Sequence, residues 1–144
     1  MNFDPTANRI VALCVSGMEK ENQLDTAGAK EIFLQAWDEA TNDFEKFTAA
    51  HYVARHQDSV SAKLQWDFTA LHHAEQCESE ALSMVLPSLH LNIGKGHEDL
   101  NQYRDAWKSY EQARICSDYL PDDGYGRMIK MGIAKGFERL LRMQ

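Results

Sequence analysis

The sequence predicts an all-α protein: an α-solenoid of about three helix–turn–helix units closed by a C-terminal capping helix, about seven helices in all, with residues 1–144 as a single domain. Three observations predict it. A set of mostly small residues recurs: Gly94, Ala106, Tyr110 and Ala113 share their spacing with Gly17, Ala29, Phe33 and Ala36. A middle copy falls at Arg55, Asp67, Leu71 and Ala74, and a half-copy at Gly132, so that the first members step by 38, 39 and 38 residues. A fixed period of ~20–50 residues is the mark of stacked repeats. Apolar residues also recur at helical spacing along most of the chain, and no segment alternates as a half-buried strand does.

The elements follow in order. Residues 1–5 are a lead-in, and Thr6 is placed to cap a helix over about 7–22 with Ile10, Leu13, Cys14 and Gly17 on its packing face. Asp25 or Thr26 caps a second helix, about 26–41, carrying Ile32, Phe33, Ala36 and Trp37. Thr41-Asn42-Asp43 is a break rich in capping residues. A third helix, about 43–57, turns Phe44, Phe47, His51 and Ala54 inward. A fourth begins at Asp58 or Ser59 and reaches about Gln76, with Leu64, Phe68, Leu71 and Ala74 inward. Ser79 starts a fifth segment that contains Pro87. An internal proline breaks or kinks a helix, so the segment is either a short piece and a helix opening near Pro87, where proline is tolerated, or one bent helix to about Asp99. The sixth helix runs from about Asn101 to Tyr119. Pro121-Asp122-Asp123-Gly124 is a loop, and a seventh helix covers about Tyr125 to Arg142.

The stretch Leu91–Ala113 holds the clearest unit. Two amphipathic patterns meet at Leu100-Asn101, where asparagine tolerates a left-handed backbone. Gly94 inside the first pattern costs about 1 kcal/mol relative to alanine, which calls for a packing reason. Ala106, Tyr110 and Ala113 on the following helix supply one: close approach of two helices.

This small–hydrophobic–small pattern over paired helices resembles the tetratricopeptide repeat. The standard period is ~34 residues, and the longer one here places the extra residues after each second helix, roughly one turn or a longer loop. In the middle copy Arg55 and Asp67 take two of the small positions. That register expects a salt bridge between them, and Ala54/Trp66/Ala70/His73 is the rival register. The resemblance implies a protein–protein interaction scaffold whose first helices line a concave groove for a peptide or extended protein segment. Carried over by position, that groove is lined by Val11, Cys14 and Met18, then Ala49, Tyr52 and His56, then Ser88, Leu91 and Lys95. Only Lys95 stands at one of these positions with the charge that a carboxylate-gripping clamp needs, so a chaperone tail is not the expected ligand. Tyr52 is the anchor candidate, tyrosine being enriched at binding hot spots.

Composition agrees with a soluble globular chain: 44% hydrophobic, 26% charged, net charge −7. An acidic balance argues against a general nucleic-acid binder. Cys14, Cys77 and Cys116 form no zinc-ligand or CxxC spacing, and the expected setting is reducing and cytoplasmic. No run of ~18 apolar residues spans a membrane, and no secretory signal is visible.

His51, Tyr52, Arg55 and His56 cluster on the third helix, while His72, His73, His90 and His97 lie on later ones. No two histidines have the i,i+4 spacing of an HExxH metal site, so no metal is expected. No GxSxG elbow, P-loop or GxGxxG fingerprint is present, so no cofactor is expected either. The expectation is therefore a non-catalytic binding module. A homo-oligomer, built as a homodimer through solenoid ends or the last helix, is the alternative. An enzyme centred on His51, Arg55 and His56 is the remote one. The last helix sets Arg127, Lys135, Arg139 and Arg142 on one flank and Ile129, Ile133, Phe137 and Leu140 on the other. It reads as a cap, with a membrane-surface or partner-binding element as the competing reading.

Overall fold

The computed structural model describes residues 8–78 and 80–143. Among them are seven α-helices and no strand: α1 (Arg9–Asn22), α2 (Thr26–Glu39), α3 (Asp43–Val53), α4 (Val60–Glu75), α5 (Leu86–Asp99), α6 (Tyr103–Cys116) and α7 (Gly124–Arg142). Short 3₁₀ turns cover Ala54–His56, Glu80–Met84 and Ser117–Tyr119. The all-α class expected from periodicity is the one observed. The chain falls into two compact units, Met1–Gln76 and Cys77–Gln144, within what the sequence reading has as one domain.

Side-chain caps set most helix starts. Asn8, Asp25, Asn42, Ser59 and Asp123 each accept an N–H from the first turn that follows, satisfying donors that have no partner inside the helix. Asn8 is thus the cap of α1. The expected cap Thr6, the lead-in 1–5 and the helix start at Ser79 lie outside the described residues. Pro87 falls in the first turn of α5, after the 3₁₀ piece, which settles the choice left open around it in favour of two segments.

In the first unit α1 packs on α2 and α3 on α4, while α3 also lies against both α1 and α2. The core gathers Ile10, Cys14, Phe33, Ala36, Ala49 and Val53. In the second unit α5 packs on α6, and α7 lies against both. Each unit is therefore a helix pair with the next first helix laid over it, and the template residues occupy the same place in each pair. A Cβ on Gly17 would overlap the Phe33 ring, and a Cβ on Gly94 would lie 2.6 Å from the Tyr110 ring. Ala29, Ala36, Ala106 and Ala113 are all fully buried beside them. The glycine of α7 that meets Tyr110 is Gly136, whereas Gly132, the expected half-copy, faces Leu91.

The middle copy departs from both registers. The buried positions are Ala54, Asp67, Ala70 and Ala74, a set drawn partly from each. The expected Arg55–Asp67 bridge does not form: Arg55 Nη1 donates to Glu21 Oε1 at 3.0 Å, and Asp67 Oδ2 accepts from Lys63 Nζ at 2.8 Å. The cause is local. α3 tightens into a 3₁₀ turn at Ala54–His56, which advances side chains by about 120° per residue instead of 100°. Arg55 within that turn faces outward, while Ala54 keeps the inward place that helical spacing gives it. Phe68, expected inward, is 37% exposed.

The turns between paired helices repeat as well. Leu24 has φ 62° and Asn101 φ 60°, at equivalent positions after α1 and α5. Asparagine adopts this left-handed conformation readily, but a leucine does so at a cost of roughly 1–2 kcal/mol. Leu24 is 89% exposed, so no packing offsets that cost. Leu24→Asn is expected to raise stability by about 1 kcal/mol, read as a higher urea midpoint at unchanged m-value.

Candidate protein-binding face

A group of polar side chains in the first unit lies where α1 and α3 end. Glu21 stands in the last turn of α1, Tyr52 in the last turn of α3, and Arg55 and His56 in the 3₁₀ turn after it. His56 Nε2 is 2.7 Å from Glu21 Oε2, so one carboxylate is held by both Arg55 and His56. The Arg55 guanidinium sits 4.7 Å from the centre of the Tyr52 ring. Tyr52 and His56 in turn stack on Phe33, with centroids 5.1 and 5.7 Å away. Burial pushes the Tyr52 hydroxyl above its ordinary range, against the pull of Arg55. The 3₁₀ turn delivers consecutive Arg55 and His56 to one acceptor.

His51 has a different environment. Its ring packs on Phe47 and edge-on to Tyr52, and its buried Nδ1 has no hydrogen-bond partner. Burial first, then the charges of Arg55 and Lys63, lower its pKa to about 4. His51 is neutral at pH 7 and bonds neither Arg55 nor His56. These residues hold helices together; none presents a nucleophile to a base.

The expected groove residues divide by burial. Val11, Cys14 and Ala49 are packed in the core at 8%, 1% and 0% exposure, and burial drives the Cys14 thiol up to about 12, leaving it inert. They are packing residues: α3 lies against α1 and α2, and Cys14 and Ala49 belong to the core formed there. Met18, Tyr52 and His56 are half-buried in the first unit. In the second unit Ser88 donates to the Val85 carbonyl at 2.9 Å, Leu91 lies over Gly132, and Lys95 is exposed and bonded to Asp99.

One pair of residues escaped the sequence reading. Glu21 and Glu98 each stand four positions after a template glycine, and each reaches a cation on the next first helix or the turn that ends it. Arg139 Nε and Nη2 donate to Glu98 at 2.8 and 3.1 Å, and the Tyr110 hydroxyl donates to it at 2.8 Å. Burial works to raise the Glu98 pKa, but the bonds from Arg139 and Tyr110 outweigh it and hold the carboxyl below its usual range. Burial and the Glu98 carboxylate together push the Tyr110 hydroxyl far above its own. The recurrence of Gly-x-x-x-Glu was the available signal. Three of the four cations on the basic flank of α7 are engaged within the unit: Arg139 with Glu98, Arg142 with Glu138 at 2.6 Å, and Arg127 with the Asp123 carbonyl at 3.2 Å.

Among the described residues no three His, Cys, Asp or Glu side chains cluster so as to hold a metal ion. No helix is long and apolar enough to cross a membrane. No protein-family model, curated protein or solved structure matches the chain.

Proposed function

We propose that this chain is a non-catalytic, cytoplasmic scaffold of the tetratricopeptide-repeat kind that takes a peptide or protein segment on the faces of its first helices. One observation carries the reading. Two helix pairs, 77 residues apart in register, seat an aromatic ring of the second helix on a glycine of the first: Phe33 on Gly17 and Tyr110 on Gly94. Each pair leaves the next first helix to cover it, which is how repeats stack into a binding surface. The surface left to a ligand is narrower than position alone implied: Met18, Tyr52 and His56 in the first unit, Lys95 with parts of Ser88 and Leu91 in the second.

Tyr52 and His56 also pack on Phe33, so truncating them tests folding as much as binding. A photo-crosslinking residue placed singly at Met18, Arg55 or Lys95 is the cleaner probe. In the native cell these positions are expected to yield one shared adduct, and Glu31 or Asp38, exposed on α2, none. Adducts from the α2 positions alone would reject the first-helix face.

A further inference from the structure

The second unit has an open groove along the seam of α6 and α7, and the first unit shows what fills such a seam. One end of the groove, a depression of about 750 Å³, is lined by Tyr103, Trp107, Leu140 and Met143, with Arg104, Lys108 and Glu111 beside them. The other end, about 360 Å³, is lined by Ile133, Ala134 and Phe137, with Arg114, Asp118 and Lys130 beside them. The residues contributed by α6 recur at three- and four-residue steps, as do those from α7. Each set therefore forms one continuous helical face, and the two depressions are the ends of a single channel. Trp107 and Phe137, in edge contact at 4.6 Å, form its saddle.

In the first unit the corresponding seam, between α2 and α3, is covered by α4. That helix packs along α3 and reaches α2 through Trp66 and His73, whose rings lie 5.1 and 6.0 Å from Trp37. Trp37 and Arg114 stand at the same place in the repeat, twenty residues after Gly17 and Gly94. Trp37 is covered by α4, whereas Arg114 lines the open channel. Charge then says which helix belongs there. Arg104, Lys108, Arg114 and Lys130 take part in no ion pair among the described residues, on a chain whose net charge is −7. Four cations border the channel against two carboxylates, Glu111 and Asp118, and that positive excess favours an acidic ligand.

We propose that the α6/α7 channel docks an amphipathic α-helix of a partner protein, its apolar stripe on Trp107, Phe137 and Leu140 and its acidic flanks against the four cations. The helix lies as α4 lies in the first unit. This site is separate from the faces of α1, α3 and α5 and stands or falls independently of them.

The test uses the full chain, ¹⁵N-labelled, titrated with two synthetic amidated helical peptides about 16 residues long. They share one leucine stripe; in one the flanks are glutamate and in the other lysine. The glutamate peptide is expected to move the Trp107 indole resonance and the amides of α6 and α7. Its affinity is expected to fall at least about tenfold in the R104E/K108E variant and to weaken with added salt. Both substituted side chains are exposed, so the thermal melt of that variant serves as the folding control. Equal binding of the lysine peptide, or full affinity in R104E/K108E, overturns the proposal. Shifts confined to α1, α3 and α5 would overturn it while leaving the first-helix reading in place. Sedimentation showing a dimer of the peptide-free chain that R104E/K108E dissolves would overturn it too, and assign the channel to a second copy.

Discussion

Gly94→Ala is expected to destabilise the protein by about 2–3 kcal/mol, although alanine is the better helix former by about 1 kcal/mol. The reason is the ring it would strike. Tyr110 is fully buried and stands between two backbones: a Cβ on Gly94 or on Gly136 would lie 2.6 Å from it. The ring has no free direction of escape, because its hydroxyl is bonded to Glu98, which Arg139 holds in turn. A methyl group must therefore spread α5 from α6 or break that network. Gly17→Ala is expected to behave alike against Phe33, which is also fully buried. Gly132→Ala is the control. Its Cβ would meet only the end of the Leu91 side chain, at 3.0 Å, so it is expected to be neutral or mildly stabilising. Urea unfolding of the three variants decides the matter. The G94A/Y110L double variant should lose less than the sum of its single changes, since residues in contact are not additive. A neutral Gly94→Ala would remove the close helix approach on which the repeat reading rests.

These glycines were also what made the fold legible. A glycine in mid-helix carries a conformational cost, so its recurrence at equal spacing with an aromatic sixteen residues later pointed to one packing geometry used twice. Helix positions were readable because capping residues stand at most breaks: Asp25, Asn42, Ser59 and Asp123. The middle copy was not readable. A register extrapolated along an α-helix fails where the helix tightens, and nothing in Ala54-Arg55-His56 announces a 3₁₀ turn. Asp67 misled for a related reason. It is 1% exposed at a position where the other copies carry alanine, and it is tolerated because Lys63, one turn earlier on the same helix, brings its charge to it.

The binding face was less legible than the fold. Position in a repeat tells which helix a residue belongs to, but burial depends on which helices pack against that face, and Val11, Cys14 and Ala49 are packed in the core. The α6/α7 channel was missed because Arg104, Lys108, Arg114 and Lys130 are ordinary surface cations in sequence. Only the fold shows that they border one groove, in excess over the two carboxylates, Glu111 and Asp118, that line it with them.

Acid is expected to loosen the first unit through one side chain. His51 is held neutral, its pKa lowered to about 4 from an ordinary 6.5, because burial and the charges of Arg55 and Lys63 oppose its protonation. Above pH 6.5 it is neutral folded or unfolded and contributes nothing to the pH dependence. Below that value the unfolded chain takes up a proton that the folded chain refuses, so stability falls as the pH falls. The loss grows by up to about 1.4 kcal/mol per pH unit and approaches about 3 kcal/mol near pH 4, where it levels off. The buried Nδ1 without a partner points the same way, since a proton added there would find no acceptor. His51→Leu removes the titration, and the difference between the two proteins cancels the carboxylates that also titrate in this range. Stability of the wild type relative to His51→Leu is therefore expected to decline steadily from pH 6.5 to pH 4 and to be flat above pH 7. A difference that stays constant across that window would mean that His51 protonates in place, and that solvent or an acceptor reaches the ring between α3 and its neighbours.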